Sequence, residues 1–143
     1  MIVNTSKTRL VIDSSVLIAY FDRENGHEPG FSKLRNHMDT GEVHVMVPSL
    51  FYWEIGNWIA RKHSSHAAEL LSGLLACGFQ EYPLDIEIID TAVDIIKKHK
   101  KITFYDATYH SMAIKKNSTF VTMDKKYYRE AGSLGHIKLL KDY

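Results

Sequence analysis

Four acidic residues occupy positions where a folded chain would have reason to use them. Asp13 ends the apolar run of "TRLVIDSSVLIAYFD", Glu54 lies within "PSLFYWEIGNWIARK", Asp106 stands in "ITFYDATYHSMA" and Asp124 follows "FVTM". An unpaired charge among apolar segments is costly, so an acid in such a place either caps a helix or does chemistry. Asp13 and Asp124 each have the simpler use, as N-caps of the helices that follow them. Thr103-Phe-Tyr-Asp106 matches a capping box, in which the fourth residue reaches back to the amide of the first. Glu54 is too far along its segment to cap Ser49, and a solvent-exposed helix glutamate is the commonest account of any one such residue. Gathered in one crevice, four carboxylates would repel one another, and the remedy is protonation or a bound cation. An all-oxygen ligand set favours Mg²⁺ or Mn²⁺ over zinc or copper. Such an ion activates water and neutralises charge on a transferring phosphoryl group.

Positioning those acids is the task of alternating strands and helices. Short β-type runs fall at Leu10 to Ile12, Val43 to Val47, Phe79 to Tyr82 and Thr119 to Thr122, with a further one at Ile137 to Leu140. Helix-length segments lie between them. The first begins at Ser14 or Ser15, and the second spans Phe31 to Asp39 after the turn-rich "ENGHEPG". Others run from the end of "VPS" to about Lys62, over "SHAAELLSGLLACG", over "DIEIIDTAVDIIKKHK", from Phe104 to Lys116 and from Lys125 to Ala131. Strands separated by helices predict a parallel sheet with helices on both faces. Ligands collect beyond the carboxyl ends of such strands, which is where Asp13 and Asp124 stand. In the third helix Phe51, Ile55, Trp58 and Ile59 form the core stripe, while Leu50, Glu54, Asn57 and Arg61 follow another line.

A chain of 143 residues without internal repeat or linker suits a single domain over 1–143. With 45% hydrophobic and 24% charged residues it has the composition of an ordinary folded soluble protein. A net charge of +1 permits a local basic face but does not argue for nucleic acid unaided. The one cysteine, Cys77, cannot form an internal disulfide, and the start lacks the pattern of an export signal, so a reducing cytoplasm is expected. No apolar run approaches the roughly 20 residues of a membrane span.

Three stretches in order, "LVIDSSVLIAYFD", "VPSLFYWEIGNWIARK" and "ITFYDATYHSMAIKKNSTFVTMDKKYYREAG", resemble the PIN-domain family, most of all the toxin ribonucleases of VapBC toxin-antitoxin pairs. The resemblance runs nearly end to end, and its most specific parts are the "YDATYHSMA" helix and the "FVTMD" strand end. It implies a three-layer α/β/α fold around a mostly parallel sheet of four to five strands. It implies that Asp13, Glu54, Asp106 and Asp124 surround Mg²⁺ or Mn²⁺, and that the metal-dependent hydrolysis of RNA leaves a 5′-phosphate. Ser14 and Thr122 match hydroxyl residues beside the first and last acids, and supporting roles in orienting carboxylates or waters follow for both. A homodimer and an antitoxin that covers or distorts the site are implied as partners. Many relatives carry another acid two residues after the last one; Lys126 stands there instead, which leaves the number of resident ions open.

Other features bear on this reading. Lys97, Lys98, Lys100 and Lys101 precede the Asp106 helix, and Lys115, Lys116, Lys125, Lys126 and Arg129 follow it. Such clusters suit RNA phosphates, although cations at helix ends also complement the dipole. Arg61, two turns beyond Glu54, is a better candidate for substrate contact. His110, one turn after Asp106, either faces the crevice or is a satisfied core or surface histidine. Aromatics beside the acids, among them Trp53, Tyr105 and Tyr109, suit base stacking, core packing or an interface. A haloacid-dehalogenase-like Mg²⁺-dependent phosphatase would need a second Asp at position 15, which is serine. A catalytically silent PIN-like module binding RNA or protein is the remaining rival, and retention of all four acids argues against it.

Overall fold

The computed structural model describes residues 7–21 and 28–143. Five strands, β1 (Thr8–Ile12), β2 (Val43–Pro48), β3 (Gln80–Tyr82), β4 (Thr119–Thr122) and β5 (Ile137–Leu139), form one sheet in the order β3-β2-β1-β4-β5, and every pairing is parallel. The central strands are continuous apolar runs because both faces are covered. Leu10, Val11, Ile12, Met46, Val47, Phe120 and Val121 are all buried. The expected sheet of four to five mostly parallel strands is thus a fully parallel one of five.

Helices α1 (Ser14–Phe21) and α2 (Phe31–Asp39) join β1 to β2; α3 (Leu50–Lys62) and α4 (Ala67–Ala76) join β2 to β3. Helices α5 (Ile86–Lys98) and α6 (Phe104–Lys115) lead to β4, and α7 (Lys125–Ala131) leads to β5. The first group packs as α1 on α3 and α3 on α4, while α5 packs on α6, which lies against β1, β2 and β4. In α3 the buried line is Phe51, Ile55 and Ile59, with Trp58 packed beside it, so the i, i+4, i+8 spacing does what the sequence pattern predicts. Each such side chain contributes roughly 1.5–3 kcal/mol by leaving water. Helix α6 is buried on all sides from Ala107 to Ala113, which fits its central place against three strands.

Local chemistry accounts for most boundaries. Asp85 caps α5 by accepting from the Ile88 amide at 2.9 Å. The segment "SHAAELLSGLLACG" is not one helix: a 3-10 turn at Ser64–His66 precedes α4, because His66 leaves helical geometry. Phe79 lies outside the ladder of β3 and instead packs edge-on against Phe51, with ring centroids 6.0 Å apart. Gly30 opens α2 at φ +87°, and a Cβ there would lie 1.9 Å from the Leu140 carbonyl oxygen, so only glycine allows this approach. Residues 24–27 of the turn-rich "ENGHEPG" lie outside the described residues.

Candidate active site

Strands β1 and β4 are neighbours, so the residues following them emerge side by side at the carboxyl edge of the sheet. Asp13 immediately follows β1 and Asp124 lies two residues past β4. Helix α3 starts from the end of β2, on the other side of β1, and presents Glu54 in its second turn. Helix α6 presents Asp106 in its first. All four carboxylates are partly buried.

Asp13 precedes α1, and its backbone carbonyl accepts from the Val16 amide at 3.3 Å. Its carboxylate is not spent on capping. Oδ2 accepts from the Thr122 hydroxyl at 2.6 Å and Oδ1 accepts from the Ser15 hydroxyl. Each hydroxyl has a second job: Ser15 Oγ accepts from the Met123 amide at 3.2 Å, and Thr122 Oγ1 accepts from the Asp124 amide at 3.0 Å. Two hydroxyls therefore fasten the end of β1 to the turn after β4. Burial pushes Asp13 up to about 6, against the hydrogen bonds of Ser15, Thr122 and Val16 that lower it, and the charge of Glu54 adds to the rise.

Glu54 is also held above the usual carboxylate range, by burial and by the charge of Asp106, while the Tyr109 hydroxyl donates to its Oε1 at 2.5 Å and works the other way. Asp106 is raised by burial and by the charge of Asp124, with the Thr103 hydrogen bond opposing. The capping box is half made. Thr103 Oγ1 accepts from the Asp106 amide at 3.2 Å, but Asp106 Oδ2 accepts from that same hydroxyl at 2.9 Å instead of reaching the Thr103 amide. Aspartate is one methylene shorter than the glutamate of that motif. Asp124 does cap α7, its Oδ1 accepting from the Tyr127 amide at 2.9 Å.

The acids thus form a line of mutual repulsion, Asp13 with Glu54, Glu54 with Asp106, and Asp106 with Asp124. Tyr109, 2% exposed and stacked on Phe120 at 5.8 Å, feels Asp13, Glu54 and Asp106 together. Burial first, then its bond to Glu54, drives its ionisation far up, so the phenol stays a donor. Among the described residues none of the four acids is in an ion pair; Arg35–Asp39 and His37–Glu42 pair elsewhere on the surface. Oxygen-only donors whose charges find no cationic partner among the described residues suit a hard divalent cation. Among the described residues no three His, Cys, Asp or Glu side chains close on one point.

Of the residues singled out for support, Thr122 bonds Asp13 and the Asp124 amide, whereas the hydroxyl on Asp13 Oδ1 is that of Ser15; Ser14 opens α1 beside it. In the sequence the second serine of "DSS" is legible only as a helix start. Tyr109 stands there among the aromatics, with nothing to mark it as the partner of Glu54 except its place one turn after Asp106. Arg61 is exposed near the end of α3. His110 is a satisfied core residue, 0% exposed, with Nδ1 2.9 Å from the Tyr127 hydroxyl and Nε2 2.7 Å from the Gly135 carbonyl. Burial holds its ionisation below the ordinary imidazole value.

Comparison with known proteins agrees with this architecture. A family model described as the PIN domain matches residues 10–132. No curated protein matches the chain. Among solved structures, a toxin-antitoxin complex from Klebsiella pneumoniae is similar at 12% identity and a TM-score of 0.66, covering 94% of this chain and 99% of that one. VapBC-1 from nontypeable Haemophilus influenzae is similar at 13% identity and a TM-score of 0.69, covering 93% and 98%. The Mycobacterium tuberculosis toxin VapC20, described as cleaving the sarcin-ricin loop, is similar at 15% identity and a TM-score of 0.59, covering 79% and 86%. At these identities the likeness is one of fold, but the family model spans most of the chain, and with it the chain belongs to the PIN-domain family.

Proposed function

We propose that this chain is a metal-dependent endoribonuclease acting as the toxin of a toxin-antitoxin pair. The observation that carries the reading is the line of four mutually repelling carboxylates, without a cationic partner among the described residues, at the carboxyl edge of a PIN-fold sheet. Asp13, Glu54, Asp106 and Asp124 would hold Mg²⁺ or Mn²⁺. An ion held there would supply activation of water and charge neutralisation at the phosphoryl group, and the cut RNA would carry a 5′-phosphate. Thr122 and Ser15 orient Asp13, and Tyr109 orients Glu54, so that their oxygens are fixed before substrate arrives. Arg61 and the exposed Lys97, Lys98, Lys100 and Lys101 supply positive charge for the RNA backbone. Phe104 and Tyr105, 37% and 60% exposed, precede Asp106 and offer faces on which unpaired bases stack.

The toxin assignment draws on the fold shared with toxins of toxin-antitoxin complexes. The antitoxin is expected to cover or distort the crevice. A cavity of about 510 Å³ between α1, α2 and α4, lined by Val16, Leu17, Leu34, Leu70 and Leu74 and reaching Ile12 beside Asp13, suits an apolar segment of that partner. A homodimer of single-domain chains in the cytoplasm completes the reading, and no helix among the described residues is long and apolar enough to cross a membrane. The test is sequencing of new 5′-phosphate ends in total RNA incubated with purified, antitoxin-free protein and Mn²⁺. Ends that vanish with Asp13→Asn are expected; their absence from the wild-type reaction would favour a silent RNA- or protein-binding module.

A further inference from the structure

His110 is an expensive residue for its position. It is wholly buried on α6, where an apolar side chain would fill the space with nothing to satisfy. A carbonyl can only accept, so the bond to Gly135 places the ring proton on Nε2. Nδ1 then presents its lone pair, and the Tyr127 hydroxyl donates to it. The two rings meet edge to face at 5.6 Å, and both pack against Phe120 at 6.0 Å. Tyr127 is tied at a second point, since its backbone N–H donates to Asp124 Oδ1. His110 in turn lies one turn from Asp106 on the same helix. The His110–Tyr127 bond therefore ties the helix that carries Asp106 to the helix that Asp124 caps.

We propose that His110 and Tyr127 are positioning residues that fix Asp106 and Asp124 relative to one another, two like charges that would serve the divalent cation of the reading above. The proposal rests on the metal-dependent reading above and deepens it. It accounts for a histidine that touches none of the acids and whose two nitrogens are both committed inside the protein. Without the link, the hydrogen-bonded tie between the two helices is lost, and what remains between their facing side chains is the packing of both rings on Phe120.

The test compares wild type, Tyr127→Phe and His110→Phe by Mn²⁺ titration of the RNA-free protein, read by electron paramagnetic resonance, alongside thermal unfolding in EDTA. Tyr127→Phe removes one oxygen and keeps the ring on Phe120 and the amide on Asp124, so it is the variant expected to fold and it decides the matter if His110→Phe does not. The expected result is a rise of about tenfold in the Mn²⁺ dissociation constant, in line with other residues that orient metal ligands. In cleavage assays at saturating Mn²⁺, kcat should fall with KM for RNA little changed. A purely structural role would lower the unfolding temperature in EDTA and leave Mn²⁺ affinity alone. Binding within about twofold of wild type by folded Tyr127→Phe would overturn the positioning role while leaving the nuclease reading intact. Failure of the wild-type chain itself to bind Mn²⁺ would overturn both.

Discussion

Replacing Asp13 with asparagine should stabilise the metal-free protein and abolish its response to metal. Asp13 ionises at about 6 in the fold, against 3.8 for a free side chain, chiefly because burial penalises the charge. A carboxyl raised in this way favours its protonated form when folded. Its contribution is fully present below about pH 4 and is lost as pH rises through about 6. At neutral pH the ionised group costs roughly 3 kcal/mol, at about 1.4 kcal/mol per pH unit of displacement. The asparagine side chain would remove that cost but would turn an amide NH₂ toward either Ser15 or Thr122. One hydroxyl must then rotate to accept, forfeiting about 1 kcal/mol. The net gain of about 1–2 kcal/mol corresponds to an unfolding temperature higher by roughly 3–6 °C for a domain of this size. Unfolding followed by circular dichroism in EDTA from pH 4.5 to 8 should show the two proteins nearly together at the acid end and diverging as pH rises. With Mn²⁺ added, wild type should gain and the variant should not, reversing the order. A variant less stable than wild type in EDTA at pH 7.5, or a gap that does not change with pH, would refute the claim that buried, uncompensated charge dominates this site.

Other expectations follow from single contacts. Ser15→Ala should reduce RNA cleavage more than Ser14→Ala, by about tenfold against a small effect, because it strips a donor from Asp13 and an acceptor from the Met123 amide. Tyr109→Phe should lower kcat by a similar factor of about ten without unfolding the protein, since the stacking on Phe120 survives and only the bond to Glu54 is lost; an unchanged rate would deny the hydroxyl its orienting role. Gly30→Ala should cost at least about 2 kcal/mol, measured by urea unfolding, because the new methyl meets the Leu140 carbonyl and the backbone must hold a positive φ; a loss below about 0.5 kcal/mol would mean that the turn relaxes freely.

How much of this was legible in the sequence depended on whether the deciding interaction was local. The central strands could be placed to within a residue or two because both faces of a parallel sheet are covered, leaving apolar runs such as Leu10–Ile12 and the Phe120–Val121 centre of β4. The helix of Glu54 showed its buried line in the i, i+4, i+8 spacing of Phe51, Ile55 and Ile59. Where the outcome turned on a partner far along the chain, pattern was silent. Nothing near Asp13 announces that Thr122, 109 residues away, will donate to it, or that Ser15 rather than Ser14 will take the other oxygen. His110 illustrates the same limit, since its partners Tyr127 and Gly135 belong to elements whose contact only the closed sheet creates.

The hydroxyls of Ser15 and Thr122 account for how the partly buried charge of Asp13 is tolerated in the fold. Each donates its one proton to Asp13 while accepting from a backbone amide in the turn after β4, so the charge on the first acid is partly met by the peptide that presents the last one. Neither contact adds a positive charge. A lysine or arginine in either place would have satisfied Asp13 more fully and lowered its ionisation, but it would also have occupied the space beside Asp13 where the proposed cation would sit. Neutral donors leave Asp13 high, at about 6, and therefore still in want of a counter-charge at neutral pH. The end of β1 is thus held to the turn after β4 by neutral groups that order Asp13 without supplying a counter-charge, and burial, more than the charge of Glu54, keeps its ionisation high.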